Sequence, residues 1–358
     1  MRASYLSKNR QSGGLHSCSA APSALYCGER RPVGLADRMG GQTMTVFAVK
    51  HRTVFDYARP VGFGEHRILF RPRDSYDQRL IESTLAVQPA PREVRWFHDV
   101  FGNCVAVVSF DKRARQLVFE SRIRIDHSPQ STPDFRIHKR AETYPFAYDG
   151  DDAADLGRLV ERHYPDPQNE IGKWARRFLS AGPGGTDTGK LLMTLCFAIK
   201  ESFNYSRRHE EGTQEPLVTL QSARGTCRDF ALFMMEAVRS LGFAARFVTG
   251  YIYVPDRDGS EVLGGGSTHA WCQVYLPGAG WIEFDPTNGI VGNRDLIRVA
   301  VVRDPRQAVP LSGTYAGKAG DAKGMTVQVN VTTETSSQPG DTAPGADAST
   351  SRRRIAGA

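Results

Sequence analysis

From Thr45 to Asp126 apolar and polar residues alternate in short runs, at 47–57, 66–71, 80–87, 105–110 and 117–123, with Pro, Gly and Asp between them. Alternation of period two puts one face of each run against a core and the other toward water, which predicts an antiparallel β domain over residues 44–128. Its length suits a small sandwich. After a connector carrying Pro129, Pro133 and Pro145 the apolar spacing changes to that of a helix. Asp187 or Thr188 can cap a helix whose Leu191, Leu192, Leu195, Ile199 and Phe203 share one face. A second helix is predicted from Cys227, with Phe230, Met234, Val238 and Leu241 on one side and Gly242 to end it. Strands over 246–254, 269–276 and 281–285 follow. Helices followed by antiparallel strands make residues 129–317 an α+β domain.

The two ends of the chain read differently. Residues 1–43 are rich in Ser, Gly and Arg with no sustained periodicity, and Met39 and Met44 stand just before the first strand-like run. That stretch reads as a disordered arm or an over-extended start. Residues 318–358 read as a mostly disordered tail, apart from a strand-like piece over Met325–Val331.

Charge narrows the partners. The net charge is +7, but residues 1–43 hold +4 of it and residues 336–358 hold +1, leaving a nearly balanced body. Nucleic acids and anionic membranes ask for a concentrated basic face, so neither is expected as a partner. The chain also lacks a signal-type apolar region and any run of about 18 apolar residues. Its six cysteines, at 18, 27, 104, 196, 227 and 272, include no CxxC pair and form no disulfide framework. Cys196 and Cys272 fall on apolar faces and read as buried small hydrophobes. A reducing, cytoplasmic setting is the expectation.

Chemistry concentrates around Cys227. A thiol at a helix start meets unpaired backbone N–H groups and the positive end of the macrodipole, which can bring a cysteine pKa from about 8.5 to roughly 3.5–7.5. Downstream, His269 begins one predicted strand and Asp285 ends the next, with the turn Pro277-Gly278-Ala279-Gly280 between them. If these strands form a hairpin, the imidazole and the carboxylate become cross-strand neighbours at one end of the sheet. Nucleophile, base and orienting carboxylate are then available for acyl transfer. Asp229, in the first turn of the helix, is explained by the dipole and is left out of the site. Trp271 and Trp281 read as core or cleft-wall aromatics. The run Asp256-Arg257-Asp258-Gly259-Ser260-Glu261 lacks the ligand spacing of an EF-hand loop and reads as a solvated hairpin loop, whereas Gly264-Gly265-Gly266-Ser267 could lend mobility beside the cleft. No phosphate loop and no zinc-spaced Cys/His cluster occurs, so neither a cofactor nor a metal is expected.

Four ordered blocks, Gly225-Thr226-Cys227-Arg228-Asp229-Phe230-Ala231, Leu241 to Tyr251, His269-Ala270-Trp271 and Gly280 to Asn288, resemble the bacterial transglutaminase-like proteins of the papain-like cysteine-protease fold group. The β domain resembles that family's N-terminal domain, so the likeness spans roughly residues 44–317. It implies a papain-like core in which Cys227 is the nucleophile, His269 the general base and acid, and Asp285 the group orienting His269. It also implies an oxyanion donor at the Cys227 N–H. Neither Gln214 nor Gln221 has a spacing that settles the side-chain donor. A protein or peptide amide is the expected substrate, and hydrolysis and transfer to an amine stay open because the acceptor subsite decides between them. A non-catalytic peptide-binding module with the same fold is the competing reading, and an intact triad argues against it.

Overall fold

The computed structural model describes residues 45–128, 135–206, 208, 212–254 and 268–334. The predicted arm over 1–43, the Asp256–Glu261 loop and the Gly264–Ser267 run lie outside these residues, as do Cys18 and Cys27. The described chain clusters as one compact unit rather than as two separate bodies. No helix among the described residues is long and apolar enough to cross a membrane.

Five strands come first: β1 (Thr45–Ile68), β2 (Gln78–Gln88), β3 (Glu93–His98), β4 (Cys104–Ser109) and β5 (Ala114–His127). Five helices follow, α1 (Gly150–Val160), α2 (Glu170–Arg176), α3 (Thr188–Ser202), α4 (Pro216–Ser222) and α5 (Cys227–Arg239). The remaining strands of the two large sheets are β6 (Ala245–Ile252), β7 (His269–Leu276), β8 (Gly280–Asp285), β9 (Ile290–Val291), β10 (Leu296–Val302), β11 (Leu311–Ala316) and β12 (Ala322–Glu334). The architecture is α+β: an antiparallel N-terminal sheet, then a core in which α5 packs on a second antiparallel sheet.

In the first sheet the strands run β2–β5–β1–β4–β3, with β11 and β12 also paired to β1. Phe47, Val49, His51 and Thr53 alternate inward along β1, as the period-two pattern requires. β1 is long enough to serve two neighbourhoods: residues 46–57 lie beside β5 and β12, and residues 66–68 beside β4 and β11. This corrects the expected boundary at residue 317. Residues 311–334 return to the N-terminal sheet because the front half of β1 would otherwise present an open edge, and β12 covers it. The strand-like piece over Met325–Val331 is the middle of β12, with Val329 and Val331 packed against the cluster that joins the two sheets.

The core sheet has the order β9–β8–β7–β6–β10 and is antiparallel throughout. Phe230, Phe233, Met234, Ala237 and Val238 of α5 pack with Phe247, Cys272, Val274 and Phe284 on one face. The opposite face meets the N-terminal sheet through Tyr251, Ile297 and Val299 against Phe47, Val49, Ile123 and Ile125. His51 Nδ1 lies 3.0 Å from the Tyr251 hydroxyl across this joint.

β10 is an edge strand whose outward backbone groups need partners. Two side-chain amides supply them. Gln78 donates to the Arg298 carbonyl at 2.9 Å and accepts its N–H at 2.8 Å, while Asn103 does the same for Val301 at 2.9 Å each way. Both amides are buried, so each substitutes for a missing strand. Between β6 and β10 the register slips after Thr249. Gly250 sits there so close to β10 that a Cβ would stand 2.0 Å from the Ile297 carbonyl oxygen.

Candidate active site

Cys227 is the first residue of α5, after Thr226 in extended backbone. What holds that turn is Asp229. Its carboxylate accepts the Thr226 N–H at 2.7 Å and the Thr226 hydroxyl at 2.8 Å. It also takes Arg208 Nε at 2.9 Å and the Gln214 N–H at 2.6 Å. Asp229 is fully buried, so it does more than answer the helix dipole: it ties the segment around residues 208–214 to the start of α5. Gly225 stands against it, where a Cβ would approach the Asp229 Cβ to 2.8 Å. Beyond the helix end, Gly242 takes φ +89°, the left-handed conformation expected of it.

His269 and Asp285 come from neighbouring strands joined by the turn at 277–280, whose Gly278 and Gly280 both have positive φ. The ladder pairs Cys272 with Phe284 and goes no further, so Asp285 reaches His269 on the diagonal rather than straight across. Their side chains meet at 2.8 Å, His269 Nε2 to Asp285 Oδ2, with both shielded from solvent. The second carboxylate oxygen accepts the Thr287 N–H at 2.9 Å. Asn288 adds an Nδ2 donor to Oδ2 at 2.8 Å and lies 3.4 Å from His269 Nε2. Asp-Pro-Thr-Asn thus wraps its own carboxylate. Asn288 was missed in the sequence because Asp before Pro reads first as an ordinary turn; an amide three residues after a candidate carboxylate was the available signal.

Burial by itself would depress the His269 pKa, but the Asp285 charge and hydrogen bond, with Cys227 beside it, raise it well above the usual imidazole range. Burial would raise Asp285, and the His269 charge together with the bonds from His269, Asn288 and Thr287 keep it below the usual carboxylate value. The pair therefore favours imidazolium and carboxylate together. The other ring nitrogen, Nδ1, is buried with no hydrogen-bond partner among the described residues. Trp271 stacks on the imidazole, rings 5.9 Å apart and 27° from parallel, and limits its swing.

The sequence-predicted residues divide clearly. Cys227, His269 and Asp285 are brought into one buried neighbourhood. Gln214 and Gln221 are not brought in as side-chain oxyanion donors: Gln214 Nε2 donates to Thr219 Oγ1 and the Arg224 carbonyl, and Gln221 Nε2 points to Glu170. Trp271 is core and Trp281 lies under the Arg246 guanidinium. Cys196 and Cys272 are buried thiols whose pKa values burial pushes well up, as suits inert packing groups. Cys104, Cys196, Cys227 and Cys272 are all free. Among the described residues no group of three or more His, Cys, Asp or Glu could hold a metal ion.

Residues 47–126 match the bacterial transglutaminase-like N-terminal region, and residues 176–286 match the transglutaminase-like superfamily. The chain thus carries a transglutaminase-like N-terminal region followed by a transglutaminase-like core. It is 27% identical to an uncharacterized protein of Mycobacterium leprae over 78% of this chain and 97% of that one. It is likewise 27% identical to an uncharacterized protein of Mycobacterium tuberculosis over 75% of this chain and 86% of that one. Among solved structures it shares its fold with a "Putative Cysteine Protease" from Cytophaga hutchinsonii, at TM-score 0.60 and 19% identity over 80% of this chain and 91% of that chain. The match to the superfamily supports a general cysteine-dependent catalytic role.

Proposed function

We propose that the protein performs acyl transfer at amide bonds through Cys227, His269 and Asp285. One observation carries this reading: a buried imidazole is held by a carboxylate on Nε2, while its Nδ1 meets no nitrogen or oxygen partner among the described residues and the Cys227 thiol acts on the ring. An unpaired buried nitrogen is costly in a structural cluster, and a reacting thiol gives it a use.

In this reaction the Cys227 thiolate attacks the amide carbonyl carbon, and the Cys227 N–H steadies the oxyanion. The tetrahedral species collapses, the C–N bond breaks, and His269 gives its proton to the departing amine or ammonia. A thioester remains. His269 then takes a proton from water or from an incoming amine, whose attack releases acid or new amide and restores the thiol. Asp285 keeps Nε2 protonated so that Nδ1 faces the sulfur. The substrate is a protein or peptide amide, and the thiol works reduced, as a cytoplasmic setting would keep it.

Trapping an acylated Cys227 by mass spectrometry after incubation with a glutamine peptide tests the reading. A labelled amine in the same incubation separates transfer from hydrolysis. Peptide binding by Cys227→Ser with no product ever formed by wild type would replace the enzyme reading with a peptide-binding one.

A further inference from the structure

The face of the core sheet opposite α5 borders a cavity of about 780 Å³ that none of Cys227, His269 and Asp285 lines. One wall is the core sheet, from which Arg246, Gln273 and Glu283 project in cross-strand register. The other comes from the N-terminal region, including Arg73 and Phe101. The volume is that of a small-molecule site.

Its charges are unevenly matched. Arg298 engages both nearby carboxylates, meeting Asp77 at 2.5 Å and Glu283 at 2.8 Å. Asp74 is turned to the Leu80 N–H, and Asp155 stands on α1. Arg246 has no carboxylate within ion-pair distance among the described residues. It lies 3.9 Å over the Trp281 ring and gives Nε to Gln273 Oε1 at 2.6 Å, which holds the guanidinium plane still. Its two terminal nitrogens have no protein acceptor among the described residues, and Arg246 lines the cavity. Arg73 spends one nitrogen on the Phe101 carbonyl and likewise has no carboxylate within ion-pair distance among the described residues. Burial, with Arg298 and Arg73 nearby, lowers the Arg246 pKa to about 9 despite the pull of Glu283, a cost that an incoming anion would relieve.

A guanidinium presents a flat fork that fits a carboxylate with two parallel bonds. Phe101, Trp281 and Val301 supply apolar lining to the same cavity. We infer that this cavity is a binding site for a small carboxylate with an apolar body, anchored on Arg246 and separate from the thiol site.

Calorimetric titration of the full chain with 3-phenylpropanoate, and with 3-phenylpropanamide as its neutral counterpart, tests the assignment. The acid should bind at least about tenfold more tightly than the amide. Arg246→Gln should lose that preference, and Arg246→Lys should keep part of it. Ala279→Phe, which adds bulk to the cavity lining and leaves the arginines in the sequence, should weaken binding of both and serves if Arg246→Gln does not fold. Cys227→Ala should bind the acid like wild type, so this result stands apart from the fate of the acyl-transfer reading. Equal binding of acid and amide, no heat from either at millimolar concentration, or an unchanged acid affinity in folded Arg246→Gln would overturn the assignment.

Discussion

The core sheet carries two buried ionic clusters, His269 with Asp285 and Arg298 with Asp77 and Glu283, and they differ in a single atom. In the Arg298 cluster every carboxylate oxygen has a donor: Ser75, Asn293 and Arg298 serve Asp77, while Trp271, Gln273 and Arg298 serve Glu283. In the His269 cluster both Asp285 oxygens are equally well served, yet Nδ1 of the imidazole is left over. A fully satisfied cluster can only hold the fold together. A cluster with one buried atom in reserve, next to a thiol, is the one the proposed acyl transfer would use. The two are joined through Trp271, which stacks on His269 and donates Nε1 to Glu283 at 2.6 Å, so the Arg298 cluster stiffens the His269 one.

Substitution separates the two roles. Cys227→Ala should lower amine release from a peptide amide by at least about 10³-fold with almost no change in melting temperature, since a small group replaces a small one. Asp285→Asn keeps the shape and removes the charge that elevates the His269 pKa. Acylation should fall by about 10²–10⁴-fold, and the imidazole proton resonance should titrate at lower pH than in wild type.

Arg298→Ala should do the reverse. It leaves Asp77 and Glu283 buried without their partner and should cost about 3–5 kcal/mol in urea unfolding, with activity per folded molecule largely kept. An Arg298→Ala protein that stays stable but loses turnover would erase the distinction between the clusters.

Acid provides a gentler probe of the joint between the sheets. Burial lowers the His51 pKa to about 4 from an ordinary 6.5. The unfolded chain therefore binds a proton that the folded chain refuses between these values. The contribution of neutral His51 is complete above about pH 6.5 and is lost as pH falls toward 4, at most about 3 kcal/mol. Melting temperature measured across this window should drop less steeply for His51→Phe. The smallest effect concerns backbone approach: Gly250→Ala should cost about 1–3 kcal/mol, because its methyl group must push against the Ile297 carbonyl.

Legibility followed locality. The α3 cap at Asp187, which accepts the Lys190 N–H at 2.8 Å, and the α5 start at Cys227 rest on contacts within a few residues, so spacing revealed them. The hairpin joining His269 to Asp285 was legible for the same reason, through the turn at 277–280. The role of Asp229 was half legible: its place in the first turn was plain, but Arg208 and Gln214 arrive from a segment whose path no periodicity describes. The return of residues 311–334 to the N-terminal sheet was missed because a strand's pattern says which face is buried and not which edge it joins.

What the sequence determined by itself is therefore the set of elements and the order of thiol, imidazole and carboxylate along the chain, since alternation, caps and turns act over short distances. Only the tertiary structure decided that Nδ1 of His269 would lack a nitrogen or oxygen partner among the described residues, that Gln78 and Asn103 would close the edge of β10, and that Arg246 would line a cavity with no carboxylate partner among those residues. Each of these depends on which groups from distant parts of the chain compete for the same hydrogen bond, and that competition is settled when the two sheets close on one another.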